Sequence, residues 1–388
     1  MKKPIKFQIN LGEEDSTQLI TDLGNGQVGI VHDSEYHDDL FIVDINDGKI
    51  SWMVERFDFF GGVTVPFFDE NALYASFIGD PKKLKENPFA PRTQTFCAFE
   101  PDTGKQLWAC SMGNGQYQFM VPPAMTKTHI ASVNSNNDKM TIISKDKGKK
   151  THKVKLEHGM SDYEPYLLTW GEKLVTIGNV KRTKQFAFDV YDPATEEVFV
   201  ETLGIFPDKG EKDIIDGIDP FIIGDCLYFT TKRGLFCKYN LAEKKIVQHQ
   251  LVEIVDGYSP RYKEKVMFHE GLACFVMSYQ DITYSYVYDI EKDTCEVKTF
   301  KLDNWWTQLY DGKCYHLSKK GLVEVDFLGD GSSREILLED WDKHITSTFL
   351  SCSKSGEEWL IEDGKLLVMP SSKKNKIHTT GNLICWEI

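Results

Sequence analysis

Runs of five to eight residues in which apolar and polar positions alternate follow one another along this chain, separated by turns rich in Gly, Asn and Asp. Alternation with a period of two places successive side chains on opposite faces of a strand, so the pattern predicts β-structure throughout. One phrase recurs: Leu40 to Trp52 reads LFIVDINDGKISW and Phe96 to Trp108 reads FCAFEPDTGKQLW. In both, a strand ends at an acid, a tight turn closes on Gly four residues later, and a second strand reaches a Trp. Weaker copies run from Met140 to His152, Phe188 to Val200, Phe236 to Gln248, Ser285 to Val297 and Leu322 to Arg334, and an eighth begins at Leu383. The aligned positions are Asp44, Glu100, Ser144, Asp192, Asn240, Asp289, Asp326 and Glu387, at steps of 56, 44, 48, 48, 49, 37 and 61 residues. Units of about 40–50 residues that each carry several short strands are the mark of β-propeller blades.

Two further strands precede each phrase. In the second unit they are VTVPFF (Val63 to Phe68) and NALYASF (Asn71 to Phe77); in the fifth, IDPFII (Ile218 to Ile223) and DCLYFTT (Asp225 to Thr231). Pro66 and Tyr74 are eight apart, as are Pro220 and Tyr228, so this part of the unit repeats in register as well. Proline cannot donate to a ladder and suits the innermost strand, an edge facing the central channel. The Gly24-Asn25-Gly26 turn is a strong hairpin signal. The last copy, Leu383 to Ile388, stops after one strand, and Pro4 to Leu11 alternates like a strand without a unit of its own. Pairing the two completes the eighth blade and removes two open edges. The expected fold is all-β: residues 1–388 form a single eight-bladed propeller of four-stranded antiparallel blades, with seven blades as the alternative. The short step to Asp326 and the degenerate stretch from Thr346 to Met369 keep that alternative open.

A proline-bearing strand, a Leu-Tyr strand, an acid, a Thr-Gly-Lys turn and a terminal Leu-Trp together resemble the repeat of the quinoprotein alcohol dehydrogenase-like propellers, the PQQ-like repeat. Phe96 to Trp108 matches best and Leu40 to Trp52 nearly as well. In that superfamily the terminal Trp docks between adjacent blades; here Trp52 and Trp108 hold the position, and His152, Val200, Gln248, Val297 and Arg334 align with it. The enzymes of the superfamily are exported and hold pyrroloquinoline quinone over calcium, against a vicinal disulfide and a Trp. This chain has no Cys-Cys pair and no Glu/Asn/Asp calcium set, so no cofactor is expected. For relatives lacking that apparatus, the resemblance implies interaction scaffolds.

Formal charge of -14 with a pI near 5.3 argues against nucleic acid or an anionic membrane as partner and leaves a basic protein open. No apolar run approaches the ~18 residues of a membrane helix, and the N-terminus carries no signal-peptide core. Nine cysteines lie scattered with no metal spacing, which suits a reducing, cytoplasmic compartment, and a monomer is expected. The segments joining one blade's outer strand to the next blade's inner strand are aromatic and acidic, and would ring one mouth of the channel. From them come the candidate binding residues Tyr117, Tyr163, Asp216, Asp219, Tyr258, Arg261, Trp305, Trp306 and Trp341. Aromatics and Arg are enriched at binding hot spots. A non-catalytic protein-binding propeller is the leading expectation. The alternative is a carbohydrate or small-ligand site or enzyme, with a carboxylate pair drawn from Asp162, Glu164, Asp216 and Asp219. The His32 to Asp39 loop has the composition of a metal site and equally of a solvated turn, as do Asp213, Asp216 and Asp219; no metal is assigned. The lysine-rich stretches Pro81 to Arg92 and Ser371 to His378 read as solvated loops or partner contacts.

Overall fold

The computed structural model describes residues 2–12, 17–33, 38–54, 67–69, 71–87, 90, 93–113, 123–133, 139–156, 166–179, 186–203, 215, 217–231, 234–251, 266–279, 282–300, 307–318, 320–345, 359–370 and 381–388. Their strands form eight four-stranded antiparallel sheets, so the eight-bladed expectation holds and the seven-bladed one does not. Seven sheets take their strands in chain order, as in the first blade: Thr17–Gly24, Gln27–Asp33, Asp38–Asp44 and Lys49–Val54. The eighth joins the two ends of the chain. Trp359–Glu362, Lys365–Val368 and Asn382–Glu387 are its inner three strands, and Ile5–Asn10 is its outer one. Residues 5 and 7–10 pair with Trp386 and Cys385–Asn382. Lys3 extends this clasp to the seventh blade, donating to the Leu337 carbonyl at 2.8 Å and accepting from the Glu339 amide at 2.8 Å.

A radial sheet has two faces to bury, and each is covered by the neighbouring blade. The buried apolar residues accordingly fall into eight clusters, one in every seam. The cluster of Ile20, Val28, Ile30 and Phe41 with Leu360, Leu367, Met369 and Leu383 closes the ring between the last blade and the first.

The eight aligned residues all stand at the end of a third strand, where the sequence placed them. Their side chains explain their chemistry. Asp44, Asp192, Asn240 and Asp289 each accept a hydrogen bond from a backbone amide two residues on, which sets up the outer hairpin. Four residues after Asp44, Glu100 and Ser144, the turn needs a left-handed residue, supplied by Gly48, Gly104 and Gly148 at φ of 70°, 67° and 59°. Glu196, Lys244 and Asp293 hold the same conformation in blades four, five and six without being glycine.

Those three glycines serve a second purpose. The Trp52 indole lies on Gly104 and its Nε1 donates to the Pro101 carbonyl; Trp108 lies on Gly148 and donates to the Lys145 carbonyl at 2.7 Å. A Cβ on either glycine would sit 2.4 Å from the ring above it. Phe7 of the clasp covers Gly48 in the same manner, again with 2.4 Å for a hypothetical Cβ. Thus the clasp strand carries the aromatic dock of its blade, a role its position outside the repeats concealed.

A β-bulge decides which blades dock this way. Beside Ser51, Leu107, Thr151 and Lys6 the ladder skips one residue, so Trp52, Trp108, His152 and Phe7 all stand opposite the residue two before the end of the third strand. Blades four, five and six have no bulge at this place. Their aligned residues Val200, Gln248 and Val297 pair one step further along, with Asp189, Cys237 and Tyr286. One step in a strand reverses the side chain, and Gln248 and Val297 are exposed. The residue one further on makes the crossing instead: His249 reaches Asp293 of blade six (3.3 Å), and Lys298 reaches the Leu328 carbonyl of blade seven. In blade seven the extra residue lies in the turn, where the Gly331 amide bonds the Asp326 carbonyl, and Arg334 pairs across the sheet with Glu324.

The Pro81 to Arg92 stretch is also corrected. Pro81–Glu86 is a short helix whose first amides are capped by the Asp80 carboxylate, with Leu84 buried beneath it. Residues 371–378 lie outside the described residues.

Candidate functional site

Strands that run up and down give the channel two mouths. One is ringed by the connections from outer to inner strands, the other by the tight hairpins between first and second strands. Inner strands of neighbouring blades lie side by side around the channel, that of blade eight touching those of both blade seven and blade one.

Of the nine candidate binding residues, Tyr117, Tyr163, Asp216, Tyr258, Arg261, Trp305 and Trp306 lie outside the described residues, as do Asp162, Glu164 and Asp213. Asp219 is described and exposed, at the entry to the inner strand Phe221–Ile223. Trp341 is not available to a partner. It is 2% exposed, on the short helix Trp341–His344, edge-on to Trp386 at 5.5 Å, with its Nε1 donating to the Ser318 carbonyl at 3.1 Å. An indole with a backbone acceptor at the seam of blades seven and eight is stabler there than in water, which corrects its assignment to the rim. Of the His32 to Asp39 loop, residues 34–37 are outside the description, while Asp39 is buried in the third strand of the first blade. Among the described residues no group of three His, Cys, Asp or Glu is placed to hold a metal.

Three partly or fully buried carboxylates belong to structural networks. Asp69 accepts from Lys145 Nζ (2.6 Å) and Tyr74 Oη (3.3 Å), tying blade two to blade three. Asp293 receives Tyr288 Oη, His249 Nε2 and Lys238 Nζ, tying blade five to blade six. Burial pushes the Asp293 carboxyl up, but hydrogen bonds from Tyr288, His249 and Lys238 outweigh it and hold the group below its ordinary range. Glu324 takes Arg334 at 2.8 and 2.9 Å, Lys313 at 3.1 Å and Tyr315 at 3.2 Å, and its pKa is likewise lowered, the cations outweighing burial. Each of these carboxylates is held ionised by donors.

The channel wall differs from one side to the other. In blades eight and one, Trp359, Leu360, Ile361, Ile20 and Leu23 of the inner strands are buried. Elsewhere the inner strands leave apolar side chains partly open, as at Phe67 and Phe68 of blade two, Met125 of blade three, Leu168 and Trp170 of blade four, Phe221 of blade five and Leu309 of blade seven, and Phe268 of blade six is 51% exposed. Phe268 stands edge-on to Phe221 at 5.0 Å, and Phe221 stacks on Tyr228 at 4.9 Å. In the sequence, IDPFII reads as an ordinary inner strand and does not mark Phe221. For Phe268, the position two residues before a Glu-Gly turn was the available signal.

Each of blades four to seven ends its first hairpin on a carboxylate: Glu172, Asp225, Glu270 and Asp311. Glu172 accepts the Lys127 amide (3.2 Å), Asp225 accepts Trp170 Nε1 (2.9 Å), and Asp311 faces His269 at 3.7 Å. Across the channel, burial and then the Asp22 and Asp363 charges raise the pKa of Glu362, so this mouth is acidic on both sides.

No protein-family model matches the chain, and no curated protein matches it in sequence. Solved structures do match. BamB from Moraxella catarrhalis aligns over 97% of this chain and 100% of its own at 12% identity, with a TM-score of 0.54. The quinohemoprotein alcohol dehydrogenase from Comamonas testosteroni covers 98% of this chain and 76% of its own (9% identity, TM-score 0.58). Sqt1 from Saccharomyces cerevisiae covers 100% of both (10% identity, TM-score 0.60). The chain shares the β-propeller fold of these three structures. That architecture carries an alcohol dehydrogenase in one neighbour, so it does not by itself choose between catalysis and binding.

Proposed function

We propose that this protein is a non-catalytic binding propeller that takes another protein at a mouth of its channel. The observation that carries this reading is the division of labour among its polar groups. Asp69 and Asp293 are bonded by lysine, histidine and tyrosine across and beside their seams and tie neighbouring blades, while Glu324 is bonded by Arg334, Lys313 and Tyr315 within blade seven. Among the described residues, Asp219 and Glu270 stand exposed at the ends of inner strands, and so leave the mouths to recognition. The sequence reading of Tyr117, Tyr163, Asp216, Asp219, Tyr258, Arg261, Trp305 and Trp306 as residues of the inter-blade connections supports recognition at one mouth. Rigid blades presenting variable connections suit recognition. Among the described residues no cysteine forms a disulfide, which supports a reducing, cytoplasmic setting. The acidic charge favours a basic partner.

Replacing Trp305 and Trp306 together by Ala tests the reading, with affinity capture from the native host compared between variant and wild type by quantitative mass spectrometry. A partner enriched by the wild type and lost by an intact, equally stable double variant is expected. Equal enrichment of every protein by both would remove that rim as the binding surface.

A further inference from the structure

Phe268 stands two residues before the Glu270–Gly271 turn, on the side of the channel ringed by the hairpins between first and second strands. We infer that this mouth is a docking surface for a cationic segment of a partner protein, one that alternates lysine or arginine with apolar residues. The inference rests on the reading of this protein as a binding propeller and assigns it a second face.

Phe268 is the one described inner-strand side chain among the exposed large apolar residues, an exposure that a purely structural lining would not require. Every blade must bury its inner strand against its neighbours, and blade eight does so with Trp359, Leu360 and Ile361 almost fully covered. Blade six instead leaves half of the Phe268 ring in water, although Phe221 stands 5.0 Å away. A ring held at one edge by another aromatic and open on the other side is a preformed apolar seat, with little side-chain freedom left to lose on binding.

Charge then selects the occupant. Four carboxylates, Glu172, Asp225, Glu270 and Asp311, stand at the ends of the first hairpins of blades four to seven. The cations beside them are already placed: Lys173 lies over the Trp170 ring at 5.0 Å and His269 faces Asp311. Asp225 and Asp311 suit tight hairpin turns by their own local chemistry. Glu270 does not: it holds φ 46° as a glutamate, where Asn, Asp or Gly is the usual choice. An acidic partner would be repelled from this mouth and a wholly apolar one would leave the carboxylates desolvated. A segment whose lysine or arginine stems lie along Phe268 and Phe221, with their heads toward Glu270 and Asp225, satisfies both surfaces.

Fluorescence anisotropy at low salt tests this with three labelled peptides of equal length: alternating lysine and leucine, alternating lysine and serine, and alternating glutamate and leucine. The lysine–leucine peptide is expected to bind the full-length protein, and the other two at least about tenfold more weakly. Phe268→Ser and Glu270→Gln should each weaken it several-fold, and Glu270→Lys by about tenfold or more. Glu243→Lys, on an outer hairpin of blade five, should leave affinity within about twofold, which separates a site from general acidity. Melting curves establish that each variant is folded. Unchanged affinity in Phe268→Ser, an equal loss in Glu243→Lys, or no preference for lysine–leucine would overturn the inference. The Trp305→Ala/Trp306→Ala protein should bind this peptide as the wild type does, since their connection enters the inner strand from the other mouth. Failure of that rim and failure of this one are therefore read separately.

Discussion

Replacing Gly104 by alanine should destabilise the protein well beyond what the backbone alone demands. At φ +67° an L-residue carries a left-handed penalty of roughly 1–2 kcal/mol, partly offset by the smaller entropy of the unfolded chain. Gly171 provides the reference: its φ is +57° and nothing lies within 4 Å of an added Cβ, so Gly171→Ala should cost about 1 kcal/mol. At Gly104 the new methyl would stand 2.4 Å from Trp52 Cε3 and 2.5 Å from Cδ2, and the ring is tethered by its bond to the Pro101 carbonyl. Forcing a methyl into such a contact adds roughly 1–3 kcal/mol, for a total of about 2–4 kcal/mol. Urea titrations followed by tryptophan fluorescence and circular dichroism measure the two variants against the wild type. In a Trp52→Ala background the Gly104→Ala increment should shrink to that of Gly171→Ala, because the ring it strikes is gone. Equal midpoints for Gly104→Ala and Gly171→Ala would refute the docking account.

Removing residues 1–11 should sharply lower the melting temperature and promote aggregation, since it strips Phe7 from Gly48 and opens the edge of Asn382–Glu387; an unchanged melting temperature would mean that the clasp does not close the ring. Glu324→Gln should destabilise the protein at neutral pH by leaving Arg334 and Lys313 without their carboxylate. The folded pKa of Glu324 is depressed below the ordinary 4.5, so its contribution is fully present above that value and lost as pH falls through the lower folded one. Differential scanning calorimetry should therefore show the gap between wild type and variant closing as pH drops below about 4.5, and a gap that stayed constant down to the acid limit would contradict the ion-pair account.

Architecture was legible in the sequence because it depends on local pattern. The hairpin residues Asp44, Asp192, Asn240 and Asp289 cap their own turns, and Gly48, Gly104 and Gly148 meet a backbone requirement within the same turn, so their spacing counts blades without reference to anything distant. Alternation likewise marked Pro4 to Leu11 as a strand in want of a sheet, and Leu383 to Ile388 as a sheet in want of a strand. Tertiary structure decided which side chains cross each seam. A single bulge residue beside Trp52, Trp108, His152 or Phe7 turns the following side chain toward the next blade, and its absence turns Val200, Gln248 and Val297 to a different register. Since the period of a strand is two, one unpaired residue reverses the outcome, and nothing in the composition of these strands announces it. Burial was equally invisible. Trp341 and Phe268 both stand beside charged residues in the sequence, yet one is sealed against Trp386 and the other is half in water. Only the packing of neighbouring blades determines how much of each ring the solvent reaches.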